Sequence, residues 1–142
     1  MGKKYELERF VDAQQYSYAW ALREMQRGRK QTHWMWYIFP QLKQLGRSYN
    51  ARYYGIADLD EARAYLAHPI LGARLREISA VLLTLKSSDP LALMGSPDDM
   101  KLGSSMTLFA KATDDNEVFL AVLDKYYDGA QDPVTLGILE NE

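Results

Sequence analysis

Cysteine is absent from the 142-residue sequence. Its absence excludes disulfide bonds, thiolate nucleophiles, and zinc or iron–sulfur sites built on cysteine. The two histidines, His33 and His68, do not form a metal-binding motif such as His-Glu-x-x-His, so we expect no metal site and no cofactor. A chain without cysteine is typical of a reducing compartment, and we expect a cytoplasmic protein.

The sequence also lacks a strong excess of charge and a long apolar run. Its 17 basic and 19 acidic residues give a net charge of -2, so we do not expect a nucleic-acid partner. The longest apolar run, residues 34–39, is far shorter than the roughly 20 residues of a membrane helix. The N-terminus lacks the apolar segment of a signal peptide. We therefore expect a soluble protein with no membrane partner, whose oligomeric state the sequence does not indicate.

What remains is the composition of an ordinary globular protein, with 47% hydrophobic and 25% charged residues. The length suits one domain better than two, and we expect a single domain over residues 1–142. No segment alternates between apolar and polar residues as a half-buried strand does. We predict an all-α fold of about six or seven helices without a significant sheet.

Apolar spacing and turn residues predict where these helices lie. A first helix is predicted over residues 6–27, ending before Gly28. The apolar run favours a short buried helix that Thr32 caps and Pro40 ends. Residues 46–56 are rich in Gly, Ser, Asn and Tyr, which favours an irregular connection.

Later helix starts carry recognisable caps. Asp58 followed by Glu61 resembles a capping box, and Pro69 fits the first turn of the next helix. A capping side chain before a proline predicts three more starts, at Asp89-Pro90, Ser96-Pro97 and Asp132-Pro133.

The stretch GRKQTHWMWYIFPQ, residues 28–41, is the first candidate site. Arg23, Arg27, Arg29 and Lys30 cluster near a helix C-terminus, where cations are favoured by the helix dipole. The same cations could instead clamp a phosphate or carboxylate, with tryptophan rings as stacking surfaces. The candidate ligand-binding residues are Arg29, Lys30, Trp34, Trp36, Gln41, Asp98 and Ser104.

The second candidate is the segment SPDDMKLGSSMTLFAKA, residues 96–112, in the helix predicted to start at Ser96-Pro97. Asp98, Lys101 and Ser105 share one face of it. Gly103 and the two serines are poor helix formers, so they indicate either close helix packing or a polar ligand lining. Ser105 lies one turn from Lys101, but the Gly-x-Ser-x-Gly motif of serine hydrolases is absent. The candidate catalytic residues are His33, as acid or base, with Lys101 and Ser105.

Three segments, RGRKQTHWMWYIFPQL, EARAYLAHPILGARL and PDDMKLGSSMTLFA, resemble the domain-of-unknown-function family 1810. Some of these bacterial proteins are labelled calpastatin-like. The resemblance covers residues 6–139 and implies a compact all-α domain with no established activity. It also implies a larger, often basic, side chain where this sequence has Gly103.

Two functional hypotheses follow. The first is a site that binds, and in one version hydrolyses, an anionic nucleotide-like or phosphorylated small molecule. It requires the segments containing His33 and Ser105 to meet in one cleft. The alternative is a non-catalytic protein–protein interaction module that uses exposed tyrosines such as Tyr49, Tyr53 and Tyr54.

Overall fold

The computed structural model describes residues 5–142, which form nine α-helices, one 3₁₀ turn and no β-strand. The all-α prediction is therefore confirmed. Residues 5–142 hold more helices than the six or seven predicted, and three of the nine have five residues or fewer. The helices are α1 Glu8–Gln26, α2 Met35–Ile38, α3 Tyr49–Tyr53, α4 Leu59–Ala67, α5 Leu71–Leu82, α6 Pro90–Met94, α7 Asp98–Ala112, α8 Glu117–Tyr127 and α9 Pro133–Glu140, with the 3₁₀ turn at Lys43–Leu45.

Helix α7 lies at the centre of the fold. It packs against α4, α6, α8 and α9, and every residue from 102 to 110 is buried. Helix α1 packs against α2 and α5 on another side of the core. Because residues 102–110 are buried, α7 can contribute polar side chains to a surface cleft only near its two ends.

Several predicted caps are confirmed. Asp58 and Asp132 accept hydrogen bonds from backbone N–H groups in the first turns of α4 and α9, at 2.9 and 3.2 Å. Asp89 does the same for α6 at 3.0 Å. In each case the side chain satisfies a donor that has no partner within the helix.

Other local predictions are wrong. Residues 46–56 contain helix α3, which Ser48 caps by accepting the Ala51 N–H at 3.1 Å. A five-residue helix is too short to show periodicity, so the pattern pointed to a loop. Ser96 does not cap α7, because Pro97 intervenes before the first helical residue.

The remaining two predictions concern Thr32 and Pro69. Thr32 does not cap α2, since its hydroxyl bonds to α1 instead. Pro69 precedes α5 by two residues rather than lying in its first turn. There the His68 Nδ1 accepts the N–H groups of Ile70 and Leu71, at 3.2 and 3.3 Å. His68 thus organises the helix start.

Candidate functional site

A cleft of about 390 Å³ lies between the segment that follows α1 and the N-terminal end of α7. This volume is within the range of small-molecule sites. The cleft brings together residues from both candidate segments of the sequence. The lining residues are Lys30, Gln31, His33, Trp34, Met35, Trp36, Met94, Ser96, Pro97, Asp98 and Lys101.

Lys30 is a buried cation that joins the two walls of the cleft. Its side chain is 7% exposed, and its Nζ lies 3.0 Å from Asp98 Oδ2. The same Nζ donates to the Thr32 carbonyl at 2.6 Å and lies 5.1 Å from the Trp34 ring centroid. The Lys30 backbone N–H donates to the Leu93 carbonyl at 2.8 Å, which fixes this wall to α6. Most of the donor capacity of Lys30 is therefore used within the protein.

Lys101 is the more available cation. Its side chain is 26% exposed, and its closest anionic partner is Asp98 Oδ1 at 3.8 Å. Asp98 therefore lies between two lysines, and the three side chains together carry one net positive charge. His33 is exposed, and its ring forms no hydrogen bond with any residue from 5 to 142. Of the ionisable side chains that line the cleft, Lys101 and His33 are consequently the best placed to contact a ligand.

Glu24 is a site residue that the sequence interpretation missed. It lies on α1, is 5% exposed, and accepts four hydrogen bonds from residues of the cleft wall. Its Oε1 accepts the Gln31 and Thr32 backbone N–H groups at 2.6 and 3.0 Å, and the Trp34 indole N–H at 2.9 Å. Its Oε2 accepts the Thr32 hydroxyl at 2.5 Å. One carboxylate thus fixes the wall that carries His33 and Trp34.

The ionisation of Glu24 follows from these contacts. Burial by itself raises the pKa of a carboxyl group, but the hydrogen bonds from Thr32, Gln31 and Trp34 outweigh burial and lower the pKa of Glu24 to about 2. The group is therefore a carboxylate at neutral pH. One sequence signal could have identified it: an acid near a helix C-terminus opposes the helix dipole, and such exceptions require a compensating contact.

Other predicted site residues lie outside the cleft. Arg29 is exposed but is not among the lining residues. Gln41 lines a much smaller adjoining pocket, which it shares with Trp36 and Lys101. The Ser104 hydroxyl donates to Asp132 Oδ2 at 2.9 Å and so belongs to the α7–α9 contact.

Ser105 is also separate from the cleft. It is fully buried, and its Oγ has no hydrogen-bond partner among the residues that the structure describes. The Ser105 hydroxyl is therefore not exposed to the cleft as a nucleophile beside Lys101 and His33. Gly103 also lies inside the packed part of α7, although a Cβ there would make an ordinary van der Waals contact of 3.4 Å with the Tyr127 ring.

No group of three or more His, Asp or Glu side chains among residues 5–142 is placed to hold a metal ion. Within the same range, none of the helices combines the length and the apolarity needed to cross a bilayer.

Comparisons of the sequence and the fold with known proteins identify the family of the chain. None of the curated proteins compared with it matches significantly. The crystal structure of the conserved hypothetical protein Rv1873 from Mycobacterium tuberculosis superposes with a TM-score of 0.94 at 48% sequence identity, over 96% of this chain and 97% of that one. The pattern of the protein family of unknown function DUF1810 matches residues 4–139. The chain therefore belongs to the DUF1810 family.

Proposed function

We propose that the cleft binds an anionic small molecule that is nucleotide-like or phosphorylated. One observation carries the proposal: Lys101, His33 and Trp36 line the same cleft. A partly exposed ammonium group attracts a phosphate or carboxylate, and a half-buried indole offers a flat surface to a base or sugar. These three side chains supply both elements of nucleotide recognition.

The other residues of the cleft have supporting roles in this proposal. Lys30 holds Asp98 in place, because the pair is mostly buried and joins the two walls. Asp98 can accept a hydrogen bond from a ligand hydroxyl or amino group while its lysine contacts persist. Glu24 positions the wall that presents His33. The proposed ligand-contacting residues are thus Lys101, His33 and Trp36.

The proposal concerns binding rather than a serine-based reaction. Ser105 does not line the cleft, so the pairing of Lys101 with a serine nucleophile is not part of it. Among the cleft side chains, His33 is the one whose chemistry suits proton transfer to or from a bound ligand.

A thermal-shift screen tests the proposal. The panel contains AMP, ADP, ribose 5-phosphate and inorganic phosphate. A ligand at 100 times its dissociation constant adds about 2.7 kcal/mol to the free energy of unfolding, which raises the melting temperature by roughly 10 °C for a domain of this size. We expect Lys101→Gln to abolish the shift, because it removes the available cation.

Lys111→Gln is the matched control. Lys111 is exposed and lies ten residues along α7 from Lys101, a distance of about 15 Å. It should leave the shift unchanged. A flat response of the unmodified protein across the panel would contradict the proposal and favour the interaction module, whose candidate surface includes Tyr49 and Tyr53.

A further inference from the structure

We propose that an exposed surface beside the cleft binds single-stranded nucleic acid. This surface, called here the tyrosine surface, lies on the 3₁₀ turn, on α3 and on the connection between them. It consists of Lys43, Arg47, Tyr49, Arg52 and Tyr53. The proposal goes beyond the cleft, because none of these five residues lines it.

Charge is unevenly distributed along the chain. Residues 25–57 contain no Asp or Glu but hold six of the 17 basic residues. All 19 acidic residues lie outside this stretch. The net charge of -2 therefore conceals a region of one sign, and a local excess of positive charge is the electrostatic feature that attracts a phosphate backbone.

This charge is not neutralised within the protein. Lys43, Arg47 and Arg52 are all exposed. Over residues 5–142, none of the three forms an ion pair, whereas Lys30, Lys101 and several arginines elsewhere do. An incoming anion would not have to displace an internal carboxylate from these cations.

A run of neighbouring tyrosine rings lies at this surface. Tyr49 and Tyr53 are 78% and 48% exposed, and their rings stack at 5.9 Å with an interplanar angle of 9°. The run continues inward through Tyr54 to Tyr37, with ring centroids 4.8 and 5.2 Å apart. Exposed ring faces of this kind are stacking platforms for unpaired bases.

The tyrosine surface lies next to the cleft in the fold. Ala51 of α3, and Tyr54 directly after it, line the small pocket that Trp36 and Lys101 also line. Trp36 and Lys101 in turn belong to the cleft. A strand with one nucleotide near Lys101 would therefore have α3 as a neighbouring element.

The acidic neighbours set the boundary of the surface. Glu6, Glu8 and Asp12 line a groove on another side of Tyr53, and these carboxylates would repel phosphates. The strand is therefore expected to run from Tyr53 towards the cleft rather than towards α1. Unpaired bases suit this surface better than a duplex, because stacking on tyrosine needs bases that are free of their own helix.

Fluorescence anisotropy with labelled ten-nucleotide oligo-dT and oligo-rU tests the proposal. We expect Tyr49→Ala to weaken binding roughly tenfold, given the usual contribution of one stacked base. With about three phosphate contacts, log K should fall with log salt at a slope of about -2. The double variant Arg47→Ser, Arg52→Ser should make this slope shallower by about 1.4. Tyr16→Ala and Lys111→Ser, which change an exposed tyrosine and an exposed lysine elsewhere, should have no effect.

The outcomes separate this proposal from that for the cleft. If AMP stabilises the protein but the oligonucleotides bind no more tightly than AMP, the tyrosine surface is refuted while the cleft proposal stands. If the oligonucleotides bind and AMP does not stabilise the protein, the cleft proposal is refuted while the tyrosine surface stands. Equal binding of poly-glutamate at matched charge, or equal weakening by the control variants, would also overturn the nucleic-acid assignment.

Discussion

Replacing Glu24 provides a quantitative test of how the cleft wall is built. Glu24→Ala removes the acceptor for Gln31, Thr32 and Trp34. It leaves the Trp34 indole N–H buried without a partner, and the Gln31 and Thr32 donors partly buried without one. A hydrogen bond to a charged group contributes about 1.5–3 kcal/mol, and an unsatisfied buried donor costs about 1–3 kcal/mol. Since these terms overlap, we expect a loss of about 3–5 kcal/mol in the free energy of unfolding, a large fraction of the total for most domains.

The pKa of Glu24 expresses the effect of the same hydrogen bonds as a dependence of stability on pH. It falls from 4.5 to about 2 in the folded protein, which corresponds to about 3 kcal/mol of stabilisation by the ionised form. Because the folded pKa is the lower one, this stabilisation is present above pH 4.5 and is lost as the pH falls towards 2. By pH 3.5 about 1.4 kcal/mol of it should be gone.

Urea unfolding, monitored by tryptophan fluorescence between pH 7 and pH 3.5, measures how the free energy of unfolding depends on pH. The amide of Glu24→Gln keeps an acceptor at Oε1 and can donate to the Thr32 hydroxyl, so we expect a smaller loss of about 1–3 kcal/mol at pH 7. Its deficit should shrink by about 1.4 kcal/mol at pH 3.5. Glu140→Gln, at an exposed glutamate, is the control. The reasoning would be refuted if the stability difference between Glu24→Gln and the unmodified protein did not change with pH. It would also be refuted if Glu24→Ala lowered the free energy of unfolding by less than about 1 kcal/mol.

Four further predictions follow from other contacts. Lys30→Met should cost about 2–3 kcal/mol in urea unfolding, because it breaks a mostly buried ion pair, whereas Lys101→Met should cost less than about 1 kcal/mol. In the same assay, Gly72→Ala should cost at least about 3 kcal/mol, since its Cβ would lie 2.0 Å from a backbone carbonyl oxygen of the preceding helix. Gly103→Ala should stabilise α7 by up to about 1 kcal/mol. Burial, together with a hydrogen bond to a glutamate, raises the pKa of Tyr18 above its ordinary value. Its absorbance should therefore titrate later than that of exposed tyrosines, and stability should fall as the pH rises above 10.

Local signals allowed much of the fold to be predicted. Apolar spacing placed α1 within two residues at its start and one at its end. Asp58, Asp89 and Asp132 cap helices as expected, because a cap depends only on residues within one turn. Helix α3 was missed because a short helix depends on its tertiary contacts more than on its own pattern.

The candidate site was likewise predicted only in part from the sequence. The sequence-based hypothesis required the segments containing His33 and Ser105 to meet in one cleft. The structure brings His33, Asp98 and Lys101 into one cleft but leaves Ser105 in the core. The sequence could not predict the contact between Glu24 and Trp34, because no motif or period encodes a hydrogen bond between a helix and a later loop. Nor could the pattern of α7 show that Ser105 faces the core, since small residues fit close packing and a polar lining equally well.

The most direct test of the cleft proposal uses the indole N–H signals of the three tryptophans in a ¹⁵N-labelled sample titrated with AMP or ADP. Trp36 lines the cleft, Trp34 is buried and held by Glu24, and Trp20 is exposed on α1. We predict that the Trp36 signal shifts on binding, that the Trp20 signal does not move, and that Lys101→Gln abolishes the Trp36 shift. Signals that all stay fixed at millimolar nucleotide, or a shift at Trp20 alone, would contradict the proposal.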